Sequence, residues 1–199
     1  MATTAAPLGL RPVGHIGGRP YSGATNEYRI LSGYGTSIFN GDVVRIGGSA
    51  DTTSEGYIVK DTGTTSFTKP IGVFQGCKYT NSATGQIIYR EYYPASTVAS
   101  DTTCFVADDP SLLFQLQSDE AVAQAKLGLN FAVVQGSGST VTGQSAVALD
   151  GSTAATTSTL PIRLVGFVSG PDSAVGDTYT DCLVTWNTGI HAYAVATGR

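Results

Sequence analysis

Basic residues are few in this chain and never adjacent: eleven Lys and Arg are scattered among 199 residues, against 15 Asp and Glu, for a formal charge of -4. Binding nucleic acid through its phosphates needs a clustered basic face, so no direct nucleic-acid partner is expected. Histidine is limited to His15 and His191, each near a chain end, which leaves little material for a Ser–His–Asp or Cys–His site. Cys77, Cys104 and Cys182 form no CxxC pair and have no histidine nearby to complete a zinc site. They read as small buried hydrophobes in a reducing cytoplasm. No stretch approaches the ~18 consecutive apolar residues of a membrane span, and MATTAAPLGLRPVGHIGG lacks the basic start and apolar centre of a secretory signal. The expectation is a soluble protein made in a cytoplasm, without a membrane partner.

Nucleophile and phosphate motifs are missing as well. Gly143-Gln144-Ser145-Ala146-Val147 lacks the closing glycine of a nucleophile elbow. GSGST at 136–140 is not followed by GK[ST], and turn and strand residues come after it where a phosphate site needs a helix N-terminus. No catalytic residue, cofactor or metal is expected.

What the chain has is strand rhythm. From Glu27 onward, short β-type runs are broken by Gly, Asn, Asp and Thr: EYRIL, DVVRIG, GYIVKD, PIGVFQGCKYT, GQIIYREYY, TTCFVAD and LLFQLQ, then NFAVVQG, QSAVALD, LPIRLVGFVSG and DCLVTWNTG. The fold class expected is all-β, a β-barrel or β-sandwich with a jelly roll possible. Pro161 is expected at a strand start or on an edge. One short helix is expected in SDEAVAQAKLGLN, with Ser118 or Asp119 as N-cap and Gly128 just past its end.

Residues 1–26, with Pro7, Pro12, Pro20 and five glycines, show neither periodicity and read as an extended N-terminal arm. Residues 27–199 form a single β-rich domain, since there is no repeat and no second composition regime. Around 136–159 a Ser/Thr/Gly-rich hairpin is expected to project from it.

Four carboxylates stand out in CFVADDPSLLFQLQSDE at 104–120, in a chain that is only 13% charged. Asp108 and Asp109 are adjacent, so an extended backbone sends them to opposite faces, and Pro110 turns the chain. Asp119 and Glu120 fall at the expected helix start, where carboxylates are favoured. A two-carboxylate hydrolase needs an apolar pocket that raises one pKa, and nothing in the sequence supplies it. A calcium loop would need the bidentate glutamate that is missing here, and PDSAVGD at 171–177 is no stronger. The acids read as polar ends of elements or as an interface rim. In KYTNSATGQIIYREYYPAS, Tyr79, Tyr89, Tyr92 and Tyr93 surround Arg90; they read as sheet packing or subunit contacts, with a carbohydrate-binding β module as the alternative. Ile87, Tyr89 and Glu91 share one side of their strand and Ile88, Arg90 and Tyr92 the other, so both faces are expected to be partly covered.

GLRPVGH at 9–15, ADDPSLLFQLQSD at 107–119, GLN at 128–130, GSGSTVTGQS at 136–145 and LPIRLVGFV at 160–168 resemble the capsid decoration, or cement, proteins of tailed double-stranded DNA bacteriophages. The likeness runs over most of the chain. It implies a non-enzymatic structural virion protein, β-rich and commonly trimeric. Such a protein joins the outer surface of the head, bridges major capsid subunits and helps the shell withstand packaged DNA. Its partners would be the major capsid protein and itself, as a homotrimer. Interface residues expected on this basis are Leu8, Leu10, Arg11, Val13 and Tyr21 of the arm and the acidic turn Asp108, Asp109 and Pro110. Removing residues 1–26 is then expected to leave a folded body with weakened attachment.

Overall fold

The computed structural model describes residues 4–49, 51, 53–171, 173–187 and 189–196; residues 1–3 of the expected arm and Asp172 lie outside them. The chain is an antiparallel sandwich-like assembly and not a closed barrel. One sheet has the order β1 (Arg11–His15), β8 (Leu112–Gln117), β13 (Asp181–Trp186), β12 (Ile162–Phe167), β9 (Asn130–Phe131). The second runs β2 (Asn26–Arg29), β7 (Thr103–Ala107), β5 (Pro70–Thr80), β3 (Val43–Ile46), β4 (Ile58–Lys60), with β6 (Ile87–Arg90) also pairing β5. A small third sheet joins β10 (Val133–Val134) to β11 (Ala148–Leu149).

Every run expected as a strand from Glu27 onward holds one. In β8 the period of two is plain: Leu112, Phe114 and Leu116 are buried while Leu113, Gln115 and Gln117 are not, because only one face of that sheet packs inward. In β5 burial is nearly continuous, because both faces of the second sheet are covered at its centre. Neighbours alternate between two cores there: Val43, Val73 and Ala107 join the core between the sheets, with Phe114, Phe131, Ile162 and Trp186. Val44, Phe74 and Val106 join a second core on the far side, with Ile38, Ile58, Tyr79 and Tyr93. Pro161 directly precedes β12, where its missing N–H costs the ladder nothing. Cys77, Cys104 and Cys182 are free and buried, and burial pushes the Cys77 and Cys182 thiols up to about 12.

Three expectations are corrected. The helix expected in 118–130 is a single three-residue 3-10 turn, Gln124–Lys126, with no side-chain cap. The residues meant to start it are held elsewhere: Ser118 N donates to Thr180 O, Asp119 accepts from Gly151 N, and buried Val122 N donates to Thr180 Oγ1. Tertiary contacts outweigh a propensity difference of a few tenths of a kcal/mol per residue.

The expected arm is extended but not separate. Residues 11–15 are strand β1, paired with β8 from Arg11↔Gln115 to His15↔Leu112, and Leu10 is 0% exposed in the inter-sheet core. Deleting 1–26 therefore removes an edge strand and a core leucine, not a free tail. The third correction concerns 136–159, whose middle lies along the body: Ser145, Val147 and Leu149 are buried and Asn40 bridges Gln144, while the turn with Val141, 94% exposed, and residues 156–159 reach solvent.

Candidate functional site

The N-terminal segment is seated by a junction of glycines and one buried carboxylate. Gly9 (φ 71) and Gly41 (φ 94) occupy left-handed backbone, and a Cβ on Gly9 would lie 2.6 Å from Gly41 O and 2.7 Å from Ser145 Cβ. Glycine is required there for both reasons. Leu10 N donates to Gly41 O, and Ser145 N donates to Asn40 O. Directly beneath, fully buried Asp42 accepts from Phe39 N at 2.8 Å and Ser145 Oγ at 2.6 Å and pairs with Lys60 Nζ at 2.8 Å. Both oxygens of the acid are partnered inside the fold, as a buried charge demands. Sequence patterning did not single out Asp42; the only trace of it is the Asn40-Gly41-Asp42 turn signal ahead of β3.

The acidic turn lies between β7 and β8. Asp108 is buried; Asn26 Nδ2 donates to its two oxygens, at 3.0 and 2.9 Å, and Tyr28 Oη donates to Oδ2 at 2.6 Å, both donors on β2. Tyr28 Oη also meets Tyr193 Oη at 2.5 Å. Burial, then the bonds to Asp108 and Tyr193, raise the Tyr28 pKa, so it remains a neutral donor. Asp109 points the other way, to Ser111 N and Oγ, both at 2.7 Å, with His15 Nδ1 at 3.4 Å. Those Ser111 bonds lower the Asp109 pKa, helped by the charges of His15 and Arg19. The opposite facing expected of adjacent acids is seen, yet both line one cavity of about 290 Å³ with His15, Tyr21 and Asn26.

A second cleft shares Tyr21 with this one, and a third shares Leu8 and Arg11 with the second. Leu8, Arg11, Pro12, Tyr21, Asn40 and Gln144 line about 450 Å³, and Leu8, Arg11, Gln115, Gln117 and Asp181 line about 140 Å³. Leu8, Arg11, Tyr21, Asp108 and Asp109, separated by about a hundred positions in sequence, thus come together beside β1. Val13, on the same strand, and Pro110, in the turn, are exposed. Leu10 is not part of this surface, because its side chain is sealed in the core. The lining of the two clefts that Arg11 enters is rich in amides, with that one cation near one carboxylate, Asp181. Such a wall suits hydrogen bonding to another polypeptide.

The remaining acids of the opening run are structural or exposed: Asp119 holds Gly151 N at 2.9 Å, and Glu120 faces solvent. Among the described residues no group of three or more His, Cys, Asp or Glu could hold a metal ion. The four tyrosines do not form one platform. Tyr79 and Tyr93 are in the second core, Tyr92 stacks on Phe39 at 5.5 Å, and Tyr89 alone stands out, 69% exposed. Nor are both sides of β6 covered: Ile88 packs on the second core, while Ile87 and Tyr89 face water. Comparison of the chain with family models, curated proteins and solved structures finds no match.

Proposed function

We propose that this chain is a non-enzymatic structural virion protein that binds the outer surface of a phage head, bridging major capsid subunits and stabilising the shell against packaged DNA. What carries the reading from the geometry is the gathering of Leu8, Arg11, Tyr21 and the Asp108–Asp109 turn along one side of β1. The sequence resemblance is its other support. A rigid strand-borne surface presents its contacts with less ordering cost than a free arm, whose fixing would cost ~1 to 2 kcal/mol per residue. As a homotrimer, the protein would touch several capsomers at once, and avidity would exceed a single contact by ~10² to 10⁴.

The test is co-sedimentation of the purified chain with undecorated tailed-phage heads from the same source, with copy number counted by mass spectrometry. Saturable, high-copy binding is expected. Leu8→Asp with Arg11→Glu, both on exposed side chains, should reduce occupancy at least ~10-fold, the equivalent of about 1.4 kcal/mol. Absence of binding to competent heads would overturn the function, and full occupancy by the double variant would overturn the face.

A further inference from the structure

The second sheet has three edge strands, β2, β4 and β6; Tyr34 Oη meets the β4 edge at Lys60 N, whereas the outer backbone groups of β2 and β6 have no partner among the described residues, and these two edges are built differently. Hydrogen-bonded pairs place Tyr28 toward β7 and leave the N–H and C=O of Glu27 and Arg29 pointing outward from β2. In β6 the bond from Asn81 N to Gln86 O sets the same phase: Ile88 and Arg90 bond to β5, and the backbone groups of Ile87 and Tyr89 point away. The β2 edge therefore carries charge at its outward positions, one of the usual protections against pairing. On β6 those positions carry an isoleucine 65% exposed and a tyrosine 69% exposed. An apolar strand with a free backbone edge is a template for another strand.

We propose that β6 pairs with β6 of a second copy of this chain, antiparallel about a twofold axis through Ile88. The four-residue sequence is self-complementary in that register. Ile87 meets Tyr89 of the second copy, and each exchanges both outward backbone bonds with the other. Their side chains fall on one face and form a single apolar cluster with their symmetry mates. Ile88 meets its own copy, and Arg90 stands across from Gln86, so no like charges face each other. A shift that centres the axis on Tyr89 sets Ile87 against Glu91 and Arg90 against Ile88, which is poorer on every count. The two second sheets join into one. The open face near Tyr89, where Lys78 Nζ lies 5.4 Å from the Phe105 ring centre and 2.8 Å from Glu27 Oε1, continues across the seam. This contact does not depend on the proposed virion role, and it is twofold, so in a trimeric protein it would link one oligomer to the next.

Analytical ultracentrifugation over a concentration series, together with amide exchange by NMR, tests the proposal. The wild-type chain should gain mass by pairing as concentration rises, with the Ile87 and Tyr89 amides slowing by at least ~10-fold in step. Tyr89→Lys, a change on an exposed side chain that leaves the body folded, should abolish both effects. A chain that stays monomeric to high concentration, self-association that Tyr89→Lys leaves unchanged, or a trimer in which those two amides exchange freely would each overturn it.

Discussion

Residues 4–26, rich in Gly and Pro, and residues 136–159, rich in Ser, Thr, Gly and Ala, are both poor in apolar pattern, and each is built into the body by different means. The first is held along its backbone: β1 pairs with β8, and one side chain, Leu10, enters the inter-sheet core. The second is pinned by points: Ser145 to Asp42, Gln144 to Asn40, and Val147 and Leu149 in the core. They meet where Gly9, Gly41 and Ser145 close on one another. A segment can thus belong to a core without being apolar, provided that its backbone bonds are met and a single anchor is buried.

Substitution at the shared junction should break both attachments together. Asp42→Ala leaves Lys60 and Ser145 without their buried partner, and a loss of about 4 kcal/mol in urea unfolding is expected. Leu10→Ala attacks the first segment alone: about 3 kcal/mol from the vacated core volume, with faster amide exchange confined to β1 and its neighbour β8. Ser145→Ala attacks the second segment alone, removing a hydrogen bond to a buried carboxylate for about 2 kcal/mol, with exchange quickening around Asn40 and Gln144.

A pH series sharpens the picture at the chain's other end. Burial against Trp186 lowers the His191 pKa, opposed by a backbone bond with Ile71 and the charges of Asp108 and Asp109. The unfolded state, near 6.5, takes up the proton first, so stability is complete above that pH and falls as pH drops toward the folded value. His191→Gln should flatten the melting temperature between pH 7 and about 5 relative to wild type. The smallest effect is expected at the tip of the second segment, where Val141→Ser should change stability by less than about 0.5 kcal/mol.

Much of the fold was legible because apolar alternation is local. LLFQLQ and PIGVFQGCKYT coincide with β8 and β5 residue for residue. NFAVVQG was legible only as one strand; it serves two sheets, β9 and β10, because Thr153 Oγ1 takes the Ala132 N–H between them. Strand β1 was hidden, since Pro12 and Gly14 mask alternation and its pairing partner β8 lies about a hundred residues away. Of the candidate surface, the residues Leu8, Arg11, Tyr21, Asp108 and Asp109 were named from the sequence. Asn26, Tyr28 and Tyr193, which bind or flank Asp108, carried no signal that set them apart.

By itself the sequence determined an all-β chain, its strand segments, and acids that end elements, because each depends on residues within a few positions of one another. Tertiary structure alone decided that the arm is a strand, that the helix is a turn, and that the 136–159 segment is tied down. It also decided that Asp42 is a fully buried acid beneath the junction of the two segments. Those outcomes rest on hydrogen bonds and burial between residues up to about a hundred positions apart, where local propensity is worth tenths of a kcal/mol and a satisfied buried group is worth several.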